Sequence, residues 1–506
     1  VAGSLGPVLK NAVLPHPDPS DTKTMLAGVC RRAAVEPPRA DPELVEELRQ
    51  FVRIWVRKNL NPLSPESDTS VKTWLESTNY PQWRRDELER CWESVKDIRD
   101  PNEKYFRVSG FQKDEHYTEY KHARGIMARS DAFKCAVGPI FRLIEKELFK
   151  LDYFLKKIPC ADRPRVIYEK LCRMGAKIGC SDYTAFEANF VRELMGACEF
   201  ELYDYMVRGL PDGGSFMALI EEVLKGTNEV AYKMFTVYIE ATRMSGEMNT
   251  SLGNSFSNLM FMLFICSKLK IDVDGYVEGD DGIFRYFGGV PTEEDFKKLG
   301  LMLKIKIVDS LSEASFCGLL FDEEELCNIS DPMKVLASFG WTQAKYARSR
   351  HSKLMVLLRC KALSLAYQYP GCPILSSLAR YGLRVTRGVD VRHYVEQSRN
   401  LTSYERDWLL EVISCPIAFQ TPGPRTRRLM ERLFSIPVET QVRLEQAFDA
   451  KQDLDPIDLT GTMVFDLVPP DWIHYCMNYT RTIDVKGEDF LYPANCWPIV
   501  PAYSVV

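Results

Sequence analysis

Apolar side chains recur along this chain in two rhythms. Over residues 44–57, Leu44, Leu48, Phe51, Val52 and Trp55 share one face of a 3.6-residue repeat, which predicts an amphipathic helix beginning near Pro42. A second helix is predicted over residues 86–95. A third is predicted over 139–154, with Ile140, Phe141, Ile144 and Leu148 on one side and Pro139 in its first turn, where a missing N–H costs nothing. The front of the chain therefore reads as mostly helical. Ahead of it, the first 45 residues carry Pro15, Pro17, Pro19, Pro37, Pro38 and Pro42 and read as an extended arm.

From Lys177 to Leu320 the rhythm changes. Short β-prone runs at 176–181, 276–278, 283–287 and 303–308 alternate with longer helical stretches, which predicts an α+β centre. Helical patterns resume after Met333, with a long helix predicted over 346–367, and the chain closes on a Pro-rich stretch with Pro469, Pro470, Pro498 and Pro501. The longest strongly apolar run, 259–266, is far short of the roughly 20 residues that cross a bilayer, so no membrane span is expected.

Composition and charge sharpen this picture. With 506 residues and 45% hydrophobic side chains, the chain can bury more than one core, since single cores stop growing near ~250 to 300 residues. The 15 cysteines are scattered without zinc-site spacing, and no secretory signal opens the chain; they read as buried small residues in a reducing compartment. A net charge of −5 excludes a protein that coats nucleic acid indiscriminately. Charge is unevenly spread, however. Between Pro332 and Val389 stand Lys334, Lys345, Arg348, Arg350, Lys353, Arg359, Lys361, Arg380, Arg384 and Arg387, with no acidic residue among them. Solvated helices usually mix both signs, so this tract is expected to contact a phosphate backbone.

The sharpest local signal is Gly279-Asp280-Asp281-Gly282 between two β-prone runs. It predicts a tight hairpin whose glycines permit positive φ and whose tip carries adjacent carboxylates. An ordinary Asp/Gly turn has the same letters, and its company is what gives the motif weight. Asp182 follows the first β-prone run and is expected at a strand end beside that hairpin. Three converging carboxylates suit magnesium, and a two-ion site suits in-line nucleotidyl transfer. Between the two lies Ser245-Gly246-x3-Thr250-x3-Asn254, a loop running into an apolar helix. Thr250, Asn254 and Asn258 at i, i+4 and i+8 form a polar stripe that needs a partner, and a ribose hydroxyl is available for that role.

The ordered set Asp182-x4-Glu187, Ser245-Gly246-x3-Thr250-x3-Asn254 and Gly279-Asp280-Asp281 resembles motifs A, B and C of viral RNA-directed RNA polymerases, most closely the tombusvirus-like and nodavirus-like group of positive-strand RNA viruses. Lys121-x2-Arg124-x4-Arg129 resembles that group's motif F, Leu303-Lys304-Ile305-Lys306 its motif D, and Phe316-Cys317-Gly318 its motif E. The motifs cover about 121 to 320. One departure stands out: motif A in that group more often ends in Asp, where this chain has Glu187.

The resemblance implies a right-hand fold of fingers, palm and thumb, with an antiparallel-sheet palm and mostly helical fingers and thumb. Its implied layout is an N-terminal arm over 1–45, fingers over 46–175 and 196–238, palm over 176–195 and 239–330, and thumb and tail over 331–506. It implies template-directed addition of rNTPs to an RNA 3′-hydroxyl. Asp182, Asp280 and Asp281 would hold two Mg²⁺ ions, with Mn²⁺ as substitute, and Lys304 or Lys306 would protonate the leaving pyrophosphate. Lys121, Arg124 and Arg129 would contact triphosphate, and Glu187, Ser245, Gly246, Thr250 and Asn254 would surround the nucleotide. Arg163, Arg165, Lys345, Arg348, Arg350 and Lys353 would serve RNA template and product, Arg163 and Arg165 in a structural or backbone role. Other viral replication proteins are implied partners, and host-cytoplasmic, membrane-associated replication complexes the implied location. The competing readings are a reverse transcriptase, disfavoured by Gly279 and Asn254, and an inactive RNA-binding palm scaffold, disfavoured by the three intact carboxylates.

Overall fold

The computed structural model describes residues 3–10, 16–117 and 121–462; the Pro-rich close lies outside the described residues. The chain divides into two compact units. One comprises Val29–Phe111 and Gly125–Cys317, the other Val1–Gly28, Gln112–Arg124 and Gly318–Val506.

The first of these is built around one apolar core. Helix Pro42–Asn59 starts at the N-cap Asp41, whose side chain accepts from the Glu43 N–H, and buries Val45, Leu48, Val52, Trp55 and Val56, while Leu44 and Phe51 of the predicted stripe are half-buried at its edge. Helix Gln82–Ser94 matches the second expectation. The third differs: the helix runs Asp131–Leu148 with Pro139 in its interior. Its true start is capped by Ser130, which accepts from the Phe133 N–H, so the proline is not an N-terminal signal here. Beside it, a Cβ on Gly138 would lie 2.6 Å from the Trp74 ring, so the Gly-Pro step is where an aromatic side chain presses on the helix backbone.

At the centre of that core runs helix Thr250–Lys268, buried almost continuously from Leu252 to Cys266. It packs on a four-stranded antiparallel sheet. Strand Asp272–Glu278 pairs with Asp281–Phe287, that strand with Lys177–Tyr183, and that with Leu303–Val308. All four expected β-prone runs are therefore strands of one sheet. A second sheet joins Gly125–Arg129, Val108–Gln112, Thr227–Ala231 and Thr236–Glu240 in that order.

In the other unit, helix His351–Gln368 packs on Leu375–Val385, and Val438–Ala450 packs on Leu375–Val385 as well. The expected extended arm is more structured than its prolines suggested. Gly3–Ser4 pairs antiparallel with Trp341–Thr342, Leu5, Val8 and Leu9 are buried, and Thr22–Arg32 is a helix. Among the described residues no helix is long and apolar enough to cross a membrane, and the described cysteines are free thiols.

In the basic tract of this unit Arg380 pairs with Asp449 at 3.3 Å, whereas three other cations have found partners that are not acidic. Arg359 donates to the carbonyls of Leu383 (3.2 Å) and Thr386 (2.9 Å), closing the C-terminus of helix Leu375–Val385. Arg384 donates to Phe448 (2.6 Å) and Lys451 (2.7 Å) at the end of helix Val438–Ala450. Lys361 donates to Ser338 (2.7 Å), Phe339 and Trp341 at the end of helix Pro332–Phe339. Each side chain answers carbonyls at or just beyond a helix end, and for the two arginines the charge also has the favourable sign for the helix dipole. Acidic neighbours are dispensable for this part of the tract, and these three side chains are engaged inside the unit. Lys345, Arg348, Arg350 and Arg387 are exposed.

Candidate active site

Two glycines make the hairpin tip possible in different ways. Gly279 adopts φ +60° with open space around it, so it is required by conformation. Gly282 is required by crowding: a Cβ there would lie 2.5 Å from both Ser181 Oγ and the Phe284 ring. The helix behind the hairpin then clamps its backbone. Asn258 Nδ2 donates to the carbonyls of Gly279 (3.1 Å) and Asp281 (3.0 Å), and Ser255 Oγ accepts from the Gly279 N–H (2.9 Å). Asn258, expected in a stripe facing a ribose, thus finds its partner in the hairpin.

Strand register brings the distant carboxylate in. Ser181 pairs with Gly282, so Asp182 extends one residue past that pairing, beside Asp281. The electrostatics agree: burial pushes the Asp281 carboxyl up to about 6, and the charges of Asp280 and Asp182 push the same way. Hydrogen bonds from the thiol and backbone of Cys317 partly oppose this. Cys317 itself sits at φ +53°, an uncommon conformation for a side-chain-bearing residue, and its thiol is raised by burial and by Asp281. The donor set is oxygen only, which suits a hard cation such as Mg²⁺, and mutual repulsion of carboxylates is what such a cation relieves. Among the described residues, no three His, Cys, Asp or Glu side chains are already gathered at metal-ligand spacing.

The other expected residues fall in three groups. Lys304 is the direct cross-strand partner of Asp182, while Lys306 faces Cys180 and reaches the Glu313 carbonyl at 3.5 Å. Ser245 and Gly246 lock the start of the helix to strand Gly125–Arg129: Ser245 Oγ accepts from the Met127 N–H (3.0 Å), and the Gly246 N–H donates to the Met127 carbonyl (2.8 Å). Thr250 Oγ1 donates to the Met244 carbonyl (3.1 Å). Glu187 lies half-buried on the turn Phe186–Asn189, and its carbonyl accepts from the Arg243 N–H (3.1 Å). Asn254 is buried and accepts from Arg243 through Oδ1.

Arg129 is fully engaged within its own unit. Its guanidinium pairs with the buried carboxylate of Glu247 and donates to Asn228 Oδ1 (2.7 Å) and the Phe106 carbonyl (2.7 Å). Arg163 is likewise buried, donating to the Ile158 carbonyl (3.2 Å), whereas Arg165 is exposed beside Glu169. Lys121 and Arg124 belong to the other unit, where the Lys121 amine stands 5.3 Å from the Tyr117 ring and Arg124 forks onto Glu115 at 2.6 and 2.8 Å. Burial would raise the Glu115 carboxyl, but that fork holds it down at about 2. Also in that unit, Lys345 donates to Asn400 (2.5 Å) and the Lys353 amine lies 3.8 Å from the Tyr394 ring centre.

Sequence reasoning missed Glu199, Tyr203, Arg243, Asn249 and Lys156. The last is 3.4 Å from Glu278 and also bonds Ser251, tying the helix start to the hairpin strand. An isolated Arg or Glu inside an apolar stretch was the available signal, since such residues are seldom buried unpaired.

The family model described as viral RNA dependent RNA polymerase matches residues 222–286, which take in the Ser245-to-Asn254 segment, the helix and the hairpin. That match supports a viral RNA-dependent RNA polymerase. Comparison with curated proteins gives no match. Asp182 lies outside the matched segment, and the strand register sets it beside the hairpin that the match contains.

Proposed function

We propose that the chain is the replicative RNA polymerase of a positive-strand RNA virus of the tombusvirus-like or nodavirus-like kind. The observation that carries this is the strand register that sets Asp182 beside Asp281, from segments about a hundred residues apart, with the Asp281 carboxyl pushed up to about 6 by burial and, in the same direction, by the charges of Asp280 and Asp182. Nucleotidyl transfer is the chemistry that most needs clustered carboxylates at a strand end.

The reaction is attack of the RNA 3′-hydroxyl on the α-phosphorus of a template-paired rNTP, forming one P–O bond as the bond to pyrophosphate breaks. Asp182, Asp280 and Asp281 would hold two Mg²⁺ ions, or Mn²⁺ in their place, which supply activation of the hydroxyl and charge neutralisation at the leaving oxygen. The protein's own share is positioning and electrostatics. The hairpin clamp by Asn258 and Ser255 fixes two carboxylates, Lys304 stands beside the third, and Asn254 with Glu187 reads the ribose. Lys121 and Arg124 would contact triphosphate, the exposed cations Lys345, Arg348 and Arg350 the RNA backbone. Fingers over 46–175 and 196–238, palm over 176–195 and 239–330 and thumb from 331 are the corresponding assignment, with other viral replication proteins as partners at membrane-associated sites in the host cytoplasm.

The deciding experiment is incorporation of labelled rNTPs on a defined RNA template with Mg²⁺ or Mn²⁺, comparing the unaltered protein with Asp280→Asn. Template-dependent synthesis abolished by the substitution is expected. Synthesis that survives it would overturn the site, and inactivity of both proteins with RNA binding intact would favour the scaffold reading.

A further inference from the structure

Beneath the Asn254 helix lies a buried charged network that the reaction as described does not use. Arg243 and Glu199 are both almost completely buried, and Arg243 Nη2 donates to Glu199 Oε1 at 2.7 Å. The other carboxylate oxygen accepts from Tyr203 Oη (2.7 Å) and from Asn249 Nδ2 (3.3 Å), which also donates to Tyr203 Oη (3.0 Å). The guanidinium stacks 4.4 Å from the centre of the Phe190 ring. The helix presses directly on this pair: a Cβ on Gly253 would lie 2.4 Å from Glu199 Oε2 and 2.6 Å from Arg243 Nη2.

One donor of Arg243 points elsewhere. Its Nε donates to Asn254 Oδ1 at 3.0 Å. Arginine carries donors and no acceptor, so only the carbonyl oxygen of the Asn254 amide can face it. The amide NH₂ is thereby turned to the opposite side. The backbone of Arg243 meanwhile bonds the carbonyl of Glu187, which ties the network to the Asp182 segment as well.

We propose that Arg243, oriented by Glu199, is a positioning residue for sugar selection: it fixes the Asn254 amide with its NH₂ toward the ribose, as a donor to the 2′-hydroxyl oxygen. This rests on the reading of Asn254 as a ribose contact. An amide free to flip would present either atom, and a 2′-hydroxyl is both donor and acceptor, so only a fixed amide makes the missing hydroxyl of a dNTP leave a buried donor unpaired. Bulk buried charge would have been simpler to replace by apolar packing, which is commonly neutral or better for stability. A directed donor is what the ion pair adds.

The test measures kcat/KM for ATP and dATP opposite templating uridines, with thermal unfolding alongside, for the full chain and for Arg243→Lys, Asn254→Ala and the double variant. Lysine keeps a cation opposite Glu199 but lacks the second, fixed donor. Arg243→Lys is expected to lower the ATP-over-dATP preference at least about tenfold, as Asn254→Ala does, with the double variant no lower than Asn254→Ala alone. Wild-type preference in Arg243→Lys, or multiplicative losses in the double variant, would overturn the proposal. If Asn254→Ala itself keeps full preference while Asp280→Asn still abolishes synthesis, the ribose role of Asn254 fails, and the proposal with it, while the polymerase reading stands. Should Arg243→Lys not fold, Glu199→Gln decides. It leaves Asn254 and Arg243 in place and removes only the charge that orients the guanidinium, so the ATP-over-dATP preference should fall toward that of Asn254→Ala; retained preference there sinks the idea.

Discussion

Asp182 and Lys304 are direct cross-strand partners in the antiparallel pair of Lys177–Tyr183 with Leu303–Val308. Such partners project from the same face with Cβ atoms roughly 4.5 to 5.5 Å apart, and both side chains are exposed. Lys306, one pair further along, faces Cys180 and leans toward the Glu313 carbonyl. Lys304 is therefore the better placed proton donor. General acids contribute about 10²- to 10⁴-fold, so Lys304→Ala should lower kcat at least a hundredfold. Lys306→Ala should change it little. The reverse pattern would exchange the assignments.

The two hairpin glycines should fail by different amounts. At Gly279 a substituent meets open space, and the cost is the left-handed backbone alone, about 1 to 2 kcal/mol for alanine. At Gly282 a methyl group would collide with Ser181 and Phe284, on the strand pair that aligns Asp182 with Asp281. Gly282→Ala should therefore lose more unfolding temperature and nearly all synthesis, while Gly279→Asn, whose side chain tolerates positive φ, should keep measurable activity. Equal losses would mean that the tip conformation, not the strand contact, governs the site.

Asn258→Ala removes two hydrogen bonds from the backbone that carries Asp280 and Asp281. Leaving buried carbonyls unpaired costs about 1 to 3 kcal/mol. Because the contact holds the hairpin and touches no substrate, kcat should fall with KM for rNTPs unchanged. A rise in KM alone would return Asn258 to the ribose stripe predicted from helical spacing.

That contrast shows where the chain was legible. The hairpin and all four strands of its sheet could be read from period-two runs and two glycines, because both are local properties. Helical spacing correctly put Asn254 and Asn258 on one face, but spacing is silent about partners: one amide meets Arg243 and the other the hairpin backbone. Pro139 misled because a helix start is set by its cap, here Ser130, and a proline is tolerated deeper where packing holds the turn. Three cations of the basic tract have an internal role that their letters did not announce, for a related reason. A run without acids looked like a phosphate stripe, yet Arg359, Lys361 and Arg384 answer helix-end carbonyls, which carry no letter in the sequence.

Lys361 offers a measurement that isolates this last point. Burial pushes its ammonium down to about 7, against an ordinary value of 10.5. Below about pH 7 the amine is charged in folded and unfolded chains alike, and the folded state bears the full cost of burying it. Between about 7 and 10.5 the folded chain holds it neutral while the unfolded chain still binds the proton, so stability rises with pH across that window. The slope is at most about 1.4 kcal/mol per pH unit for one proton. Lys361→Met carries no titrating group there. The unfolding temperature of the unaltered protein, measured relative to that variant, should therefore climb from pH 7 to pH 10, even if the variant is less stable throughout for want of a donor to Ser338 and Phe339. A flat difference would mean that the amine stays protonated in the fold, held by those carbonyls as an ammonium.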